Sequence, residues 1–344
     1  MYRLLRPLLF RLDPERAHAL TLGALRAAGL FPFMLRWLAG IYSTPQRPVH
    51  AFGLTFKNPA GLAAGYDKDA VAVRGLTSLG FGHIELGTVA PEPQAGNPKP
   101  RVFRLVEDEA VINRMGFPSR GSGYVQAKLK SIDRKKLDMV LGVNIGRNRS
   151  TPNEEAAQDY LSLLQDFSSL ADYLAVNVSS PNTVGLRALQ GRAALEGLLS
   201  QLHAQRQVEQ TRLGKRIPLL VKLAPDLTDS ELNDALDAIL GTHMDGVIVT
   251  NTTLAREGLR SSHKDETGGL SGTPLRLRSE AVLSKVVKYV DGRIPILSAG
   301  GIMDSEDARR RLQMGATLIQ LYTGLIYRGP ALVKQIVSAL SPSY

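Results

Sequence analysis

Short, nearly continuous apolar runs recur along the chain from about residue 52 onward, and they alternate with stretches whose apolar positions follow a helical spacing. Eight such runs are present, at residues 58–65, 82–89, 139–145, 173–178, 218–223, 246–250, 295–299 and 318–322. Runs this continuous are typical of parallel strands that are covered on both faces. The stretches 228–240, which opens with Thr-Asp-Ser-Glu, and 304–314 are amphipathic and predict intervening helices. Eight alternations predict an α/β fold, a (β/α)8 TIM barrel rather than a doubly wound sheet.

The first 42 residues follow a different pattern. Asp13-Pro14-Glu15 predicts a helix start, with a capping aspartate, a proline at the first helical position and an acid in the first turn; this helix is expected to run to residue 29. A second short helix, 33–39, carries the only tryptophan, Trp37. Such a cationic pair of helices with Leu, Phe and Trp on its other face suits shallow insertion at an anionic membrane interface, and the alternative is a hairpin packed on the main domain. We therefore divide the chain into an N-terminal amphipathic segment, 1–42, and a barrel domain, 43–344.

Composition narrows the classes of function. A hydrophobic content of 44% and a charged content of 22% over 344 residues suit a globular protein with a full core. The chain has no cysteine, which excludes disulfides, zinc–thiolate sites, iron–sulfur clusters and cysteine catalysis. The sequence contains no run of 18 apolar residues, so it predicts no membrane-spanning helix. The six histidines are scattered and do not have the spacing of a metal site.

The net charge of +10 calls for an anionic partner. Nucleic acid is not expected, because the basic residues are spread out and are not interleaved with aromatic residues. The two short basic clusters, 134–136 and 309–311, are expected in surface helices or turns. An anionic ligand or an anionic membrane surface is therefore the expected partner.

Polar residues concentrate at the C-terminal ends of the predicted strands, where barrels place their active sites. In strand order these ends are Ala64-Gly-Tyr-Asp-Lys68, Gly87-Thr88, Asn144, Asn177 with the turn Ser179-Ser-Pro-Asn182, Lys222, Thr250-Asn-Thr252, Ala299-Gly-Gly301 and Tyr322-Thr-Gly324. A single polar residue at a strand end could equally be the cap of the following helix. Polar residues at the ends of all eight strands indicate a ligand site instead. Because the chain has no thiol, proton abstraction at the fourth strand must use a hydroxyl, and Ser180 is the candidate.

Two lysines and one glycine pair suggest that this site holds a phosphorylated ligand. Lys222 lies in a buried strand, where a lysine is costly unless it meets an anion; a salt bridge inside the barrel is the alternative. Lys68 is a second cation at the same mouth, with acidic neighbours on both sides. Gly300-Gly301 fits a phosphate site built from backbone N–H groups, or simply a tight turn. The segment 113–123 is either a mobile lid from which Asn113 reaches inward or an ordinary surface loop.

Together these motifs resemble the dihydroorotate dehydrogenase family, from about residue 12 to residue 337. The matching motifs are Gly61-Leu-Ala-Ala-Gly-Tyr-Asp-Lys68, Glu85-Leu-Gly-Thr88, Ile112-Asn-Arg-Met-Gly-Phe117, Asn144-Ile-Gly146, Asn177-Val-Ser-Ser-Pro-Asn182, Val221-Lys-Leu-Ala-Pro225, Thr250-Asn-Thr-Thr253, Gly268-Gly-Leu-Ser-Gly272 and Gly300-Gly-Ile302. The N-terminal extension and the serine at position 180 are similar to the membrane-associated, quinone-reducing class 2 of this family.

The resemblance implies one flavin mononucleotide (FMN) per chain and a dihydroorotate site beside it. The implied cofactor residues are Ala64, Gly65, Tyr66, Asp67, Lys68, Thr88, Asn144, Asn177, Lys222, Thr250, Gly272, Gly301, Tyr322 and Thr323, the phosphate lying at Gly272, Gly301, Tyr322 and Thr323. The implied substrate residues are Lys68, Asn113, Arg114, Met115, Gly116, Phe117, Asn177, Asn182, Asn251 and Thr252. No metal site is implied.

The resemblance also implies a reaction. Ser180 would take the C5 proton of dihydroorotate while the C6 hydrogen leaves as hydride to flavin N5, and Thr183 is placed to share a proton relay with water. Lys222 would stabilise the charge of the reduced flavin, and Lys68 would bind the substrate carboxylate. Orotate for pyrimidine biosynthesis would be the product, and a membrane quinone would take the electrons through the helices of residues 1–42.

The expected protein is thus a monomer bound peripherally to the cytoplasmic side of the cell membrane. Three departures from the usual family pattern stand out: Tyr66 in place of an aliphatic residue, Thr323 in place of serine, and Ser298-Ala299 before the glycine pair. Two alternatives stay open on the sequence alone. One is a flavin barrel that reduces NAD or fumarate, and the other is an idle barrel that binds flavin or lipid as a scaffold.

Overall fold

Eight parallel strands close into a barrel. The structure, a computed structural model, describes residues 2–341. Its strands are β1 (Val49–Ala51), β2 (Leu54–Phe56), β3 (Ala60–Leu62), β4 (His83–Val89), β5 (Val102–Leu105), β6 (Ala110–Asn113), β7 (Val140–Ile145), β8 (Tyr173–Asn177), β9 (Leu219–Leu223), β10 (Gly246–Val249), β11 (Gly269–Gly272), β12 (Ile296–Ala299) and β13 (Leu318–Leu321). The barrel order is β3-β4-β7-β8-β9-β10-β12-β13. All eight predicted strands are barrel strands, so the predicted (β/α)8 fold is confirmed.

Helices follow the strands and cover the outside of the barrel. They are α1 (Tyr2–Arg11), α2 (Pro14–Ala28), α3 (Pro32–Tyr42), α4 (Val73–Thr77), α5 (Ser122–Lys130), α6 (Ala156–Phe167), α7 (Arg192–Leu213), α8 (Asp229–Gly241), α9 (Arg276–Val290), α10 (Ser305–Gln313), α11 (Thr323–Arg328) and α12 (Ala331–Ala339). The predicted helices 228–240 and 304–314 are α8 and α10. Thr228 and Glu231 form a reciprocal capping box on α8, and the Asp304 side chain caps α10.

A hairpin that the sequence did not predict closes the N-terminal end of the barrel. Strands β1 and β2 pair antiparallel, and they carry Phe52 and Phe56 against Tyr173, Leu220 and other side chains of the barrel interior. Both phenylalanines are buried, and burial of each contributes about 1.5–3 kcal/mol to stability. This end of the barrel is a packed core, so ligands must enter at the other end.

A three-stranded antiparallel sheet, β5-β6-β11, stands outside the barrel and was also not predicted. Asn113, expected in a lid or loop, is the last residue of β6 and pairs in register with Gly269 of β11. The segment that follows is held by hydrogen bonds, among them the Gln94 side chain to the Phe117 carbonyl at 2.8 Å. The sheet therefore presents this segment as an ordered wall beside the barrel.

The N-terminal helices form a hairpin docked on the barrel. Helix α2 begins and ends as predicted, within one residue; α3 is longer than predicted, and α1 was not predicted. Glu15 of α2 pairs with Arg101 at 3.0 Å, and the Arg104 side chain donates to the Leu9 carbonyl at 3.0 Å. Large apolar side chains nevertheless remain exposed on the hairpin, including Leu4, Leu8, Leu30, Phe33 and Trp37.

Within residues 2–341, no single helix is long and apolar enough to cross a membrane. Helices α2 and α3 meet the criteria of length and composition only as a pair, and that pair is bent by 114°.

The basic clusters 134–136 and 309–311 lie in helical segments, as expected, but one of their arginines is not at the surface. The basic cluster 309–311 lies on α10, but Arg311 is fully buried. Its guanidinium donates to Ser279 Oγ at 2.6 Å and to the carbonyls of Gly300 at 2.8 Å and Arg276 at 3.1 Å. Three consecutive arginines point to different sides of a helix, and Arg311 falls on the side that faces β12. It is a structural cation rather than part of a surface patch.

Candidate active site

A cavity of ≈ 770 Å³ lies at the C-terminal ends of the barrel strands and extends between the barrel and the N-terminal helices. Its barrel part is lined by strand-end residues such as Ser180 and Lys222, and its outer part by residues of α1 and α2 such as Leu9 and His18. Two other depressions, of ≈ 660 and ≈ 580 Å³, share Arg216 and lie around residues that precede the barrel strands. Neither contains a predicted site residue, so the first cavity is the candidate active site.

Side-chain amides and hydroxyls form a connected floor to this cavity. Thr88 Oγ1 donates to Asn144 Oδ1 at 2.5 Å, and Asn177 Nδ2 contacts both groups at 3.0 and 3.1 Å. Asn251 Nδ2 in turn contacts Asn177 Oδ1 at 3.3 Å and Ser179 Oγ at 2.9 Å. These residues come from four strand ends, and their mutual bonds fix the direction in which each remaining polar atom points. The floor suits a flat ligand with several hydrogen-bonding edges.

A second polar group lies on one wall of the cavity. Asn182 Nδ2 donates to Asn113 Oδ1 at 3.1 Å, which ties the loop after β8 to the three-stranded sheet. The Asn182 backbone N–H donates to Ser180 Oγ at 3.2 Å. Ser180 is 6% exposed and lines the cavity, and Thr183 Oγ1 on the same loop is buried without a hydrogen-bond partner. Two hydroxyl groups therefore lie on one short loop beside the asparagines: Ser180 Oγ accepts a backbone N–H, and Thr183 Oγ1 has no partner.

Lys222 agrees with both interpretations that the sequence allowed, a salt bridge inside the barrel and a contact with the ligand site. Its Nζ lies 4.0 Å from Glu85 Oε1 inside the barrel, and the side chain also lines the cavity. Burial lowers the pKa of Lys222, and the Glu85 carboxylate opposes this shift. The lysine is thus paired from below and exposed to a ligand from above.

The glycine turn after β12 packs closely against the start of α9, which follows the turn after β11. Gly301 has φ +74°, and a Cβ there would lie 2.4 Å from the Arg276 Cα, so only glycine fits. Gly272 has φ +96° and comes directly before the turn that leads to Arg276. The Ser279 hydroxyl and the Arg311 guanidinium both donate to the Gly300 carbonyl, at 2.8 Å each. Fixing that carbonyl fixes the orientation of the next peptide N–H, which is the kind of group that binds phosphate oxygens.

Lys68 is the second cation of the cavity. Its Nζ donates to the Gly65 carbonyl at 3.0 Å and contacts Met115 Sδ at 3.3 Å. Burial lowers the pKa of Lys68 to about 8, which Asp69 opposes and Arg101 reinforces. Among residues 2–341 the ammonium has one oxygen partner, so it retains capacity to bind an anion.

Three aromatic rings line the passage between the barrel mouth and α2. Tyr66 meets His18 edge to face at 5.0 Å between centroids and Tyr322 at 6.2 Å. Burial and the neighbouring Lys68 lower the pKa of His18 to about 4, and burial raises the pKa of Tyr66. The passage therefore contains neutral rings at neutral pH, as an apolar ligand would require.

The structure brings most predicted site residues to this one cavity. The residues that line it are Ala64, Gly65, Tyr66, Lys68, Thr88, Asn113, Met115, Gly116, Phe117, Asn177, Ser180, Asn182, Lys222, Thr250, Asn251, Thr252, Gly272, Gly301, Tyr322 and Thr323.

Three predicted residues stand outside this lining. Asn144 lies directly beneath it, bonded to Thr88. The Asp67 carboxylate accepts the backbone N–H groups of residues 71 and 72, and Arg114 pairs with Glu266 at 2.5 Å. Of these, only Asn144 is tied to the cavity floor by a hydrogen bond.

Sequence reasoning missed the polar layer beneath the floor. Glu85 and Gln320 point into the barrel from β4 and β13, and the Gln320 side chain donates to Glu85 at 2.8 Å. Tyr173 donates to the same carboxylate at 3.1 Å. The available signal was a charged residue in the middle of an otherwise apolar buried run, the same signal that identified Lys222.

Comparisons with known proteins agree along the whole chain. The family model described as "Dihydroorotate dehydrogenase" matches residues 48–343. The chain is similar to "Dihydroorotate dehydrogenase (quinone)" of Idiomarina loihiensis, with 47% identity over 340 residues that cover 99% of this chain and 100% of the relative. The protein of that name from Stutzerimonas stutzeri is 47% identical over 344 residues, covering 99% and 98%. The crystal structure of DHODH from Eimeria tenella in complex with ferulenol is similar with TM-score 0.87 and 41% identity, covering 95% of this chain and 90% of that one.

Proposed function

Because this chain belongs to the dihydroorotate dehydrogenase family, we propose that the cavity at its barrel mouth is where dihydroorotate is oxidised. The chain is an oxidoreductase of pyrimidine biosynthesis: it oxidises dihydroorotate to orotate and delivers the electrons to a quinone. The observation that carries the proposed location is the continuity of one cavity, which joins the Ser180 loop to the glycine turns and to the apolar helices.

The family is flavin-dependent, and we propose that the flavin is FMN, one per chain. The residues present fit such a group in two places. Thr250 Oγ1 is buried at the cavity without a hydrogen-bond partner, as a group that awaits a polar ligand would be. Because Gly301 has no Cβ, the turn after β12 packs directly on the backbone of Arg276, the first residue of α9, and the backbone N–H groups at this helix start can bind a phosphate. When bound, the flavin supplies the two-electron step between the substrate and the quinone.

The asparagine groups then hold the substrate. Asn113 and Asn182 on the wall, with Asn177 and Asn251 on the floor, present amide donors and acceptors on two sides of the cavity. A pyrimidine ring has amide edges that such a set satisfies. Lys68 lies at the same mouth and binds the substrate carboxylate. Because opposing walls fix the ring, its reacting carbons are held in one orientation toward the Ser180 loop.

Ser180 is the proposed base that takes the C5 proton. A serine hydroxyl is a weak base, so it must pass its own proton onward while it accepts the one from carbon. Thr183 Oγ1, buried and without a partner, is a candidate on the same loop for a relay through water. The Asn182 N–H that donates to Ser180 Oγ stabilises negative charge that develops on that oxygen.

The pH dependence of substrate capture follows from Lys68. Its pKa of about 8 means that the ammonium is charged below that pH and neutral above it, so the attraction for the substrate carboxylate is present below and lost above. We expect kcat/KM for dihydroorotate to fall about tenfold per pH unit above pH 8 in the free enzyme. Lys68→Arg keeps a charge that does not titrate, so its alkaline limb should flatten. A wild-type profile without an alkaline decrease would contradict this role for Lys68.

The outer part of the cavity is the proposed quinone path. It runs between the barrel and the helices of residues 2–42, whose apolar side chains are exposed on the outer surface. We propose that this segment lies peripherally on the cell membrane and admits the quinone from the bilayer. We place it on the cytoplasmic side, where pyrimidine synthesis supplies the substrate. One chain completes the whole cavity, which supports a monomer as the active unit.

Helix α2 packs tightly against α4 at Gly75, which gives a test of the quinone path. A Cβ at Gly75 would lie 2.1 Å from the Leu25 carbonyl oxygen, so Gly75→Ala should push α2 away from α4. We expect turnover with a long-tail quinone to fall on the order of 10²-fold, while flavin reduction by dihydroorotate proceeds at the wild-type rate, because only the quinone path is displaced.

The matched control is Gly23→Ala on α2 itself. A Cβ there meets nothing within 4 Å, and the substitution brings the same gain in helix propensity. Gly23→Ala should behave as wild type in both half-reactions. Equal quinone turnover in both variants and the wild type would show that docking of α2 does not shape the quinone path.

A further inference from the structure

Glu85 lies at the centre of the barrel, one layer below the cavity floor, and has no part in the mechanism so far. Its side chain is fully buried. Oε1 accepts Asn144 Nδ2 at 2.8 Å and lies 4.0 Å from Lys222 Nζ. Oε2 accepts Gln320 Nε2 at 2.8 Å and the Tyr173 hydroxyl at 3.1 Å. A buried carboxylate with this many donors is a fixed negative charge in a region of low dielectric constant.

The other groups that face this charge are neutral. His83, also on β4, has its pKa lowered to about 3 by burial, and burial raises the pKa of Tyr173 well above its usual value. Inward positions on the remaining strands are polar without charge or apolar, such as Asn144, Ile248, Leu297 and Gln320. In the described part of the barrel interior, Glu85 and Lys222 therefore form one isolated pair of opposite charges.

We propose that Glu85 is a positioning residue that keeps Lys222 protonated beneath the flavin and thereby sets the reduction potential of the cofactor. This inference rests on the proposed function, since it places the flavin against Lys222. Burial alone favours the neutral amine, and Glu85 is the charged group that opposes it. At 4.0 Å the pair is close enough for strong attraction, yet the ammonium keeps protons free to face the cavity.

The same carboxylate also orients the floor. Because Oε1 holds Asn144 Nδ2, the Asn144 carbonyl oxygen is turned to accept from Thr88 and Asn177. Glu85 thus connects the cation and the amide floor through one oxygen. If Glu85 had only a structural role, it would orient the amide floor and would not affect the charge of Lys222. A test must therefore measure the charge of Lys222 separately from the geometry of the floor.

Glu85→Gln removes the charge and leaves the shape. Gln320 Oε1 is buried without a partner, so rotation of the Gln320 amide by half a turn lets it accept from the new NH₂ group. The Tyr173 hydroxyl can likewise turn from donor to acceptor. The variant can therefore keep its hydrogen bonds, and what it loses is the counter-charge of Lys222.

The experiment is a redox titration of the bound flavin between pH 6 and pH 10, followed by its visible absorbance. In the wild type, Glu85 opposes the lowering of the Lys222 pKa by burial, so Lys222 ionises at a higher pH than in the variant and adds no inflection at the neutral end of this range. In Glu85→Gln we expect one added inflection within this range. At pH values below this inflection, the variant's reduction potential should be higher than that of the wild type, because a cation without its counter-charge favours the electron-rich flavin. At pH values above the inflection, the variant's potential should be lower than that of the wild type, because the nearby cation is lost.

Three further variants test whether Lys222 is the ionising group and Glu85 its counter-charge. Tyr173→Phe removes a hydrogen bond to Glu85 without changing charge, so it should show no added inflection. The double variant Glu85→Gln, Lys222→Met should lose the inflection that Glu85→Gln gains. Glu85→Asp moves the charge away from Nζ and should bring the inflection in only at the alkaline end, which keeps the test decisive if Glu85→Gln yields no folded protein.

The outcomes separate the two levels of inference. A wild-type chain that binds no flavin overturns the proposed function and this inference with it. A flavin-bound Glu85→Gln variant whose potential runs parallel to that of the wild type at every pH overturns the inference alone, as does a Glu85→Asp curve without the alkaline inflection. Curves that cross as described support the assignment of Glu85.

Discussion

Replacing Ser180 by alanine is expected to slow flavin reduction by dihydroorotate on the order of 10²–10⁴-fold, the range that a positioned base contributes. The hydroxyl faces the cavity, is 6% exposed and accepts the Asn182 N–H, so its loss removes the proposed proton acceptor and leaves the asparagines in place. Substrate affinity should change little, since the proposed binding contacts come from other side chains. The measurement is the anaerobic decay of flavin absorbance after rapid mixing with dihydroorotate.

Ser180→Cys is the matched control for that prediction. A thiol occupies nearly the same space, and its ordinary pKa of about 8.5 makes it a better base than a hydroxyl. We expect this variant to regain much of the rate and to show a pH profile that follows the thiol. If Ser180→Ala reduced its flavin as fast as the wild type, the base would have to be another group, and Thr183 would be the next to test.

Gly301→Ala is expected to abolish cofactor binding, so the protein should purify without yellow colour. The position has φ +74°, and the added Cβ would lie 2.4 Å from the Arg276 Cα, which is backbone and cannot rotate away. The turn after β12 would have to move away from the start of α9, and the N–H groups proposed to hold the phosphate would move apart with them. The measurement is the ratio of flavin to protein absorbance, with titration of added FMN by fluorescence quenching.

Gly292→Ala is the control for Gly301→Ala, because it adds the same backbone strain without the collision of the new Cβ. Gly292 has φ +72°, nearly the same conformation, but a Cβ there meets nothing within 4 Å. It should cost about 1 kcal/mol of folding stability and retain the flavin. Retention of a full complement of flavin by Gly301→Ala would place the phosphate elsewhere.

The sequence predicted the barrel well because each barrel strand is a continuous apolar run bounded by polar strand ends. The β1–β2 hairpin escaped prediction because its strands have three residues each, too short for a period to show. The β5-β6-β11 sheet joins segments more than 150 residues apart, and no local pattern reports such pairing. The buried side of α10 was missed because Arg311 finds its partners on α9 and after β12, which adjacency in sequence cannot reveal.

The sequence predicted which residues line the site better than it predicted the contacts between them. Strand ends brought Asn177, Lys222 and Thr250 together because barrel topology places all such ends at one mouth. The connection from Lys222 to Glu85 was open on sequence alone, since a buried lysine signals an anion without naming it. The extension of the cavity along α2 depends on how the helices dock, through contacts such as Glu15 with Arg101, and no spacing within residues 1–42 encodes that.

The most direct test of the central claim uses the wild-type protein and follows its flavin through both half-reactions without oxygen. An excess of dihydroorotate should bleach the visible flavin absorbance and yield orotate. After removal of the substrate, a long-tail quinone should restore the colour, whereas NAD⁺ and fumarate should not. A flavin that stays yellow with dihydroorotate, or one that is reoxidised by NAD⁺ or fumarate but not by quinone, would contradict the account.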